Sequence, residues 1–174
     1  MFKWLFGGKG GGSGEARDQG NAEIVVVSRT VKATPDQAFA TFVDKLAAWW
    51  PRDLTWAGEA LDVIAIDPKI NGKATERSRD GKFAVWGTVL SVQRPDHIVI
   101  AWQISANRSP EASEATASRV DVRFLPAAEG ATEVVVVHRD FARHGEGWQA
   151  YRATMGSKTG WPRLMELYAK AVGG

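Results

Sequence analysis

Along most of this chain apolar and polar residues alternate, and two stretches break that pattern with helical spacing. Residues 23–31 are rich in β-branched side chains and predict a first strand. Phe39, Phe42, Val43 and Leu46 then recur three and four apart, which places them on one face of a helix. Thr34-Pro35-Asp36-Gln37 supplies its start. Thr34 is a capping residue, Pro35 suits the first helical position, and Gln37 completes a capping box. The helical pattern is expected to end at Trp49-Trp50-Pro51, because a residue before proline avoids helical geometry. Strands are predicted at residues 60–66, 73–78, 83–92, 97–105, 118–125 and 132–140. The turn pairs Asn71-Gly72, Asp80-Gly81, Arg94-Pro95 and Glu129-Gly130 fall between them. Residues 106–117, polar and rich in Ser and Glu, read as a mobile hairpin tip. Helical spacing returns in residues 147–172, where Trp161, Leu164 and Tyr168 share a face, with Gly156, Gly160 and Pro162 as points of kink or restart. Successive short strands with turns between them imply an antiparallel sheet. The expected fold is therefore α+β, a curved antiparallel sheet wrapped around a long C-terminal helix, the helix-grip arrangement. Such a wrap leaves space between sheet and helix.

Residues 1–20 stand apart from this pattern. Met1 to Phe6 is a short apolar start, followed by a tract that brings the region to seven of the chain's 18 glycines. We expect a flexible Gly-rich tail over residues 1–20 and one folded domain over residues 21–174. The apolar start is too short for a signal peptide. Phe2, Trp4, Leu5 and Phe6 beside Lys3 leave a weak membrane contact as a further reading of the tail.

Composition narrows the class. The 174 residues contain 44% hydrophobic and 24% charged side chains, ordinary values for a globular chain. A net charge of +2 is too balanced for a typical nucleic-acid binder, and none is expected as a partner. With no cysteine, disulfides, thiol nucleophiles and thiolate metal sites are excluded. A cytoplasmic location is compatible with that count and is the expectation. The eight tryptophans against two tyrosines suggest aromatic walls around a core or a cavity.

Four stretches together resemble one family. These are Thr34 to Phe39 with Phe42, Leu46 and Trp49-Trp50; Gly87 to Val89, Arg94-Pro95 and Ile98 to Trp102; Gly130 to Thr132 through Val134 and Val136 to His138 and Phe141; and Gly160-Trp161 with Leu164 and Leu167. In order and spacing they are similar to the activators of the 90-kDa heat-shock chaperone ATPase, over nearly all of the folded part. The resemblance implies the SRPBCC superfamily, built like birch-pollen allergen and START domains. That superfamily includes hydrophobic-ligand carriers, polyketide cyclases and co-chaperone domains, so the fold leaves function open. The Gly-rich tail, the Ser/Glu hairpin and Pro162 depart from the family pattern.

The residues give no catalytic set. No serine lies in a Gly-x-Ser-x-Gly elbow, so a Ser/His/Asp triad lacks support. His138, Asp140 and His144 are poorly spaced for a metal, and no metal or cofactor is expected. His97 is read as exposed, and His138 as a strand residue that could face a cavity and move a proton. Glu59, Asp62 and Glu76 are candidate cavity acids. Glu76 lies on the opposite face of its strand from Thr75 and Arg77, so only one of those faces points inward. The candidate ligand-binding residues are Trp50, Trp56, Arg77, Trp86, Trp102 and His138, around a hydrophobic or amphipathic small molecule. A co-chaperone-like module that stimulates a chaperone ATPase through its surface is one alternative function. A cavity enzyme of cyclase or hydrolase type is the other.

Overall fold

The computed structural model describes residues 23–111 and 113–173; the expected tail at residues 1–20 lies outside them. Seven antiparallel strands form one curved sheet: β1 (Val25–Val31), β2 (Leu61–Ile66), β3 (Lys73–Ser78), β4 (Phe83–Gln93), β5 (His97–Trp102), β6 (Ser118–Pro126) and β7 (Thr132–Arg139). Their spatial order is β1-β7-β6-β5-β4-β3-β2. Only the crossing from β1 to β2 spans the sheet, and it carries helix α1 (Pro35–Val43). Register shifts lie between Leu61 and Val63, Ala74 and Thr75, and Val89 and Ser91. Such bulges bend a sheet, and these give it the curvature that encloses a core. Gly87 sits beside one of them. A Cβ there would fall 2.8 Å from Ile100 Cγ2, so only glycine lets β4 approach β5 this closely.

Alternation sorts the residues of each strand onto two faces, and the curvature of the sheet decides which face is buried. Ile98, Ile100 and Trp102 of β5 point inward, as do Val120, Val122 and Phe124 of β6 and Val134, Val136 and His138 of β7. α1 starts with the predicted capping box: the Gln37 amide donates to Thr34 Oγ1 at 3.3 Å, and the Thr34 amide to Gln37 Oε1 at 3.0 Å. It ends at Val43, earlier than expected, and a 3-10 turn (Leu46–Ala48) follows. The tertiary reason is Trp49. Its indole Nε1 folds back to donate to the carbonyls of Thr41 (3.0 Å) and Phe42 (3.3 Å), which the end of a helix leaves without partners.

The C-terminal segment forms two helices, α2 (Trp148–Gly156) and α3 (Trp161–Val172). Gly160 makes the restart possible: a Cβ on it would fall 2.3 Å from the Met155 carbonyl oxygen. Pro162 sits in the first turn of α3, where its missing N–H costs no helical bond. Trp161, Leu164 and Tyr168 are all buried. Tyr168 donates its hydroxyl to the Ala38 carbonyl at 2.8 Å, tying α3 to α1. The expected hairpin tip is folded back instead of projecting. Ile104 bridges Pro110, the Glu111 amide bonds the Gln103 carbonyl, and a 3-10 turn (Glu114–Thr116) leads into β6. Among the described residues no helix is long and apolar enough to cross a membrane.

Candidate functional site

A cleft of about 640 Å³ opens where the break between α2 and α3 faces the loop after β5 and the 3-10 turn Arg52–Leu54. Its deep wall carries Trp50, Trp102, Tyr151 and Leu164, all buried. Trp102 donates its indole N–H to Tyr151 Oη at 2.8 Å, and that hydroxyl donates to the Ile104 carbonyl at 2.9 Å. The polar tips of both aromatics are thus used within the wall. Burial also pushes the Tyr151 hydroxyl above its ordinary range, so it stays neutral. The deep cleft offers apolar ring faces to a ligand.

The rim is different. Trp56 is 41% exposed and donates its indole N–H to the Arg108 carbonyl at 2.6 Å, which holds the loop after β5 against the cleft. Asp53 and Arg163 form a bidentate ion pair at 2.8 and 2.9 Å, joining the Arg52–Leu54 turn to α3. The guanidinium lowers the Asp53 carboxyl below its usual range by direct hydrogen bonding, and Arg108 acts on the same carboxylate at longer range.

Behind the deep wall lies a chain of polar contacts that no sequence motif announces. The Trp161 indole N–H donates to His138 Nδ1 at 3.0 Å. An indole nitrogen can only donate, so His138 must carry its proton on Nε2, which donates to Ser118 Oγ at 2.7 Å. The Ser118 hydroxyl in turn meets His144 Nε2 at 2.8 Å, and His144 Nδ1 meets Glu111 Oε1 at 3.0 Å. Burial first, and then the nearby His144, hold His138 well below its ordinary value, so it is neutral. Ser118, His144 and Glu111 follow the order of a nucleophile, base and acid, the arrangement for which the sequence gives no support. Sequence separations of 26 and 33 residues left it without a local signature. Ser118 is fully buried and its oxygen already accepts from His138. The chain therefore ties β6 and β7 to the loops that back the cleft, and it presents no open nucleophile.

The six expected ligand residues separate accordingly. Trp50, Trp56 and Trp102 line the cleft. Trp86 is buried one layer behind, stacked on Trp50 with centroids 5.7 Å apart and planes at 22°. His138 is fully buried behind Trp102, at 5.5 Å between rings, and does not border the cleft. Arg77 lies on the outer face, bound to Asp62 at 2.7 Å, because β3 turns the alternate residue inward. That residue is Glu76, which accepts from the Ala57 amide at 2.9 Å and whose carboxyl is raised by burial. It borders a smaller cavity of about 290 Å³ that shares the Trp56 wall. His97 is half-buried rather than exposed and bonds Ser91 at 3.1 Å. Sequence reasoning missed Tyr151, Asp53, Arg108 and Arg163, whose roles arise from contacts between distant elements.

Solved structures with this architecture cover several activities. An anthrahydroquino-γ-pyrone synthase is 26% identical, with a TM-score of 0.62, and the match covers 86% of this chain and 98% of that one. The self-sacrificing resistance protein CalC from Micromonospora echinospora is 24% identical at TM-score 0.58, covering 87% and 94%. An Hsp90 activator from Plasmodium falciparum is 18% identical at TM-score 0.53, covering 83% and 94%. The latter two establish likeness of fold. A comparison with curated proteins finds no match. The sequence itself matches the family described as activator of Hsp90 ATPase homolog 1-like protein over residues 32–173. With that match spanning the domain from the end of β1 through α3, the chain belongs to the activator of Hsp90 ATPase homolog 1-like family.

Proposed function

We propose that this protein binds an apolar or amphipathic small molecule in the cleft between its sheet and the break separating α2 from α3. The observation that carries this reading is the cleft itself. A space of about 640 Å³ walled by Trp50, Trp102, Tyr151 and Leu164 has the size and lining of a small-molecule site. A core with no ligand to accommodate would close over such rings, since interiors are packed to crystal-like density. The test is a fluorescence titration with phenylnaphthylamine, an uncharged apolar probe. Saturable binding near one probe per chain, with a change in tryptophan emission, is expected. Ala150 also lines the cleft and is exposed, so Ala150→Trp should fill the space and abolish the signal without unfolding the protein. A folded wild type that binds no probe at high micromolar concentration would sink the reading.

A second reading, a cavity enzyme of the cyclase kind, draws support from the 26% identity with the anthrahydroquino-γ-pyrone synthase. Turnover of a polyketide-like substrate that disappears in Ala150→Trp would favour it over simple carriage. The family description also suggests a chaperone partner. Stimulation of a chaperone ATPase that survives the filling of the cleft would place that activity on the surface.

A further inference from the structure

The cleft's charge is confined to its rim, and it is uneven. Among its lining residues the ionisable groups are Asp53, Arg108, Arg163 and the neutral Tyr151, so two guanidiniums face one carboxylate. Asp53 and Arg163 neutralise each other through two hydrogen bonds. Arg108 makes no ion pair among the described residues, although its charge is felt by Asp53. From these placements we infer that the cleft selects an amphipathic organic anion, an apolar ring body with a carboxylate, sulfonate or phenolate, and that it binds with the ring inward and the anion at Arg163 and Arg108. The inference rests on the proposed function and names the ligand class of that same cleft.

Three features require that orientation. The deep wall cannot welcome a charge, because Trp102 Nε1 and Tyr151 Oη are already engaged and an unpaired ion there would lose its hydration. The rim is wet: the Asp53 side chain is 63% exposed and that of Arg163 is 37% exposed. An exposed ion pair contributes little to stability, so Arg163 can exchange Asp53 for a ligand anion at small cost. Its planar fork suits bidentate contact with a carboxylate or sulfonate as well as it suits Asp53. Gly160 and Arg163 both border the cleft, and α3 begins with no side-chain cap, so the start of that helix adds partial positive charge in the same sense. Asp53 is then a competitor for the ligand's head group, a latch that the correct ligand displaces.

That competition has a signature which a purely structural ion pair lacks. The probes are anilinonaphthalene sulfonate and phenylnaphthylamine, which share an apolar body and differ in the sulfonate. Wild type should bind the sulfonate about tenfold more tightly at low salt, and the advantage should shrink as salt rises. Arg163→Gln should weaken sulfonate binding about tenfold, the scale of one charge-assisted contact. Asp53→Asn frees Arg163 and should tighten it severalfold. Phenylnaphthylamine affinity should move by less than about twofold in either variant. If both variants shift sulfonate binding in the same direction, or shift both probes alike, the pair merely holds the cleft in shape and the inference is overturned. If phenylnaphthylamine binds and the sulfonate binds no better, the anion preference fails while the binding function stands. If neither probe binds wild type, the binding function falls and the inference falls with it. Urea midpoints of both variants close to wild type would show that the changes are not losses of fold.

Discussion

The aromatic core has two ends that are built alike and finished differently. At one end Phe39, Phe42, Trp49, Phe124 and Tyr168 pack with ring centroids between 4.9 and 5.9 Å. At the other, Trp50, Trp86, Trp102 and Trp161 pack with centroids between 5.6 and 6.1 Å. Trp49 and Trp50, adjacent in sequence, join the two at 5.4 Å. The difference lies in what covers them. α1 lies over the first end, and the polar tips of Trp49 and Tyr168 are used on its backbone carbonyls. At the second end the chain breaks between α2 and α3, so Trp50 and Trp102 form a wall with space in front of it, backed by Trp86 and Trp161. Abundant aromatic residues do not make a cavity; the backbone that does or does not close over them decides it.

This contrast can be broken by matched truncations. Leu46 and Leu164 are equally buried, at 2% and 1% exposure, but only Leu164 borders the cleft. Leu46→Ala should cost about 3–5 kcal/mol in urea unfolding, because its surroundings can relax only partly around the new void. Leu164→Ala should cost nearer about 2 kcal/mol, since the lost volume joins a space already open to water. Equal costs would mean that the cleft is closed in solution. Tyr151→Phe comes next. It leaves the Trp102 N–H and the Ile104 carbonyl without their shared partner and should cost about 1–3 kcal/mol.

A smaller effect depends on pH. His138 in the folded protein titrates well below its ordinary value of 6.5. Below that value the unfolded chain takes up a proton that the native protein refuses. The stability arising from neutral His138 is therefore fully present above pH 6.5 and lost as pH falls below it. The slope from this one group approaches about 1.4 kcal/mol per pH unit. Unfolding of wild type and His138→Gln between about pH 7.5 and 5.5 should converge as the pH drops. Parallel curves would show that His138 is accessible to protons in the native state. The smallest effect is expected for Ala150→Trp, which should change stability by less than about 0.5 kcal/mol while removing probe binding. A large loss there would mean that the cleft wall cannot accept a ring.

The order of the elements, which residues share a strand face, and the start of α1 were all legible in the sequence. Those follow from local rules: the alternation that put Glu76 and Arg77 on opposite faces of β3, the Thr34–Gln37 capping box, and the restart at Gly160 and Pro162. The abundance of tryptophan also pointed to Trp50, Trp56 and Trp102, and these three line the cleft. Tertiary packing settled the rest: it turned Glu76 inward and Arg77 outward, set Trp86 and His138 one layer behind the wall, ended α1 early through Trp49, and placed Ser118 between two histidines. It alone brought Asp53 to Arg163, 110 residues apart, at the rim. The physical reason is range. Periodicity and capping act within one or two turns of chain, whereas depth, hydrogen-bond partners and the cover over a wall depend on where the sheet's curvature carries distant segments.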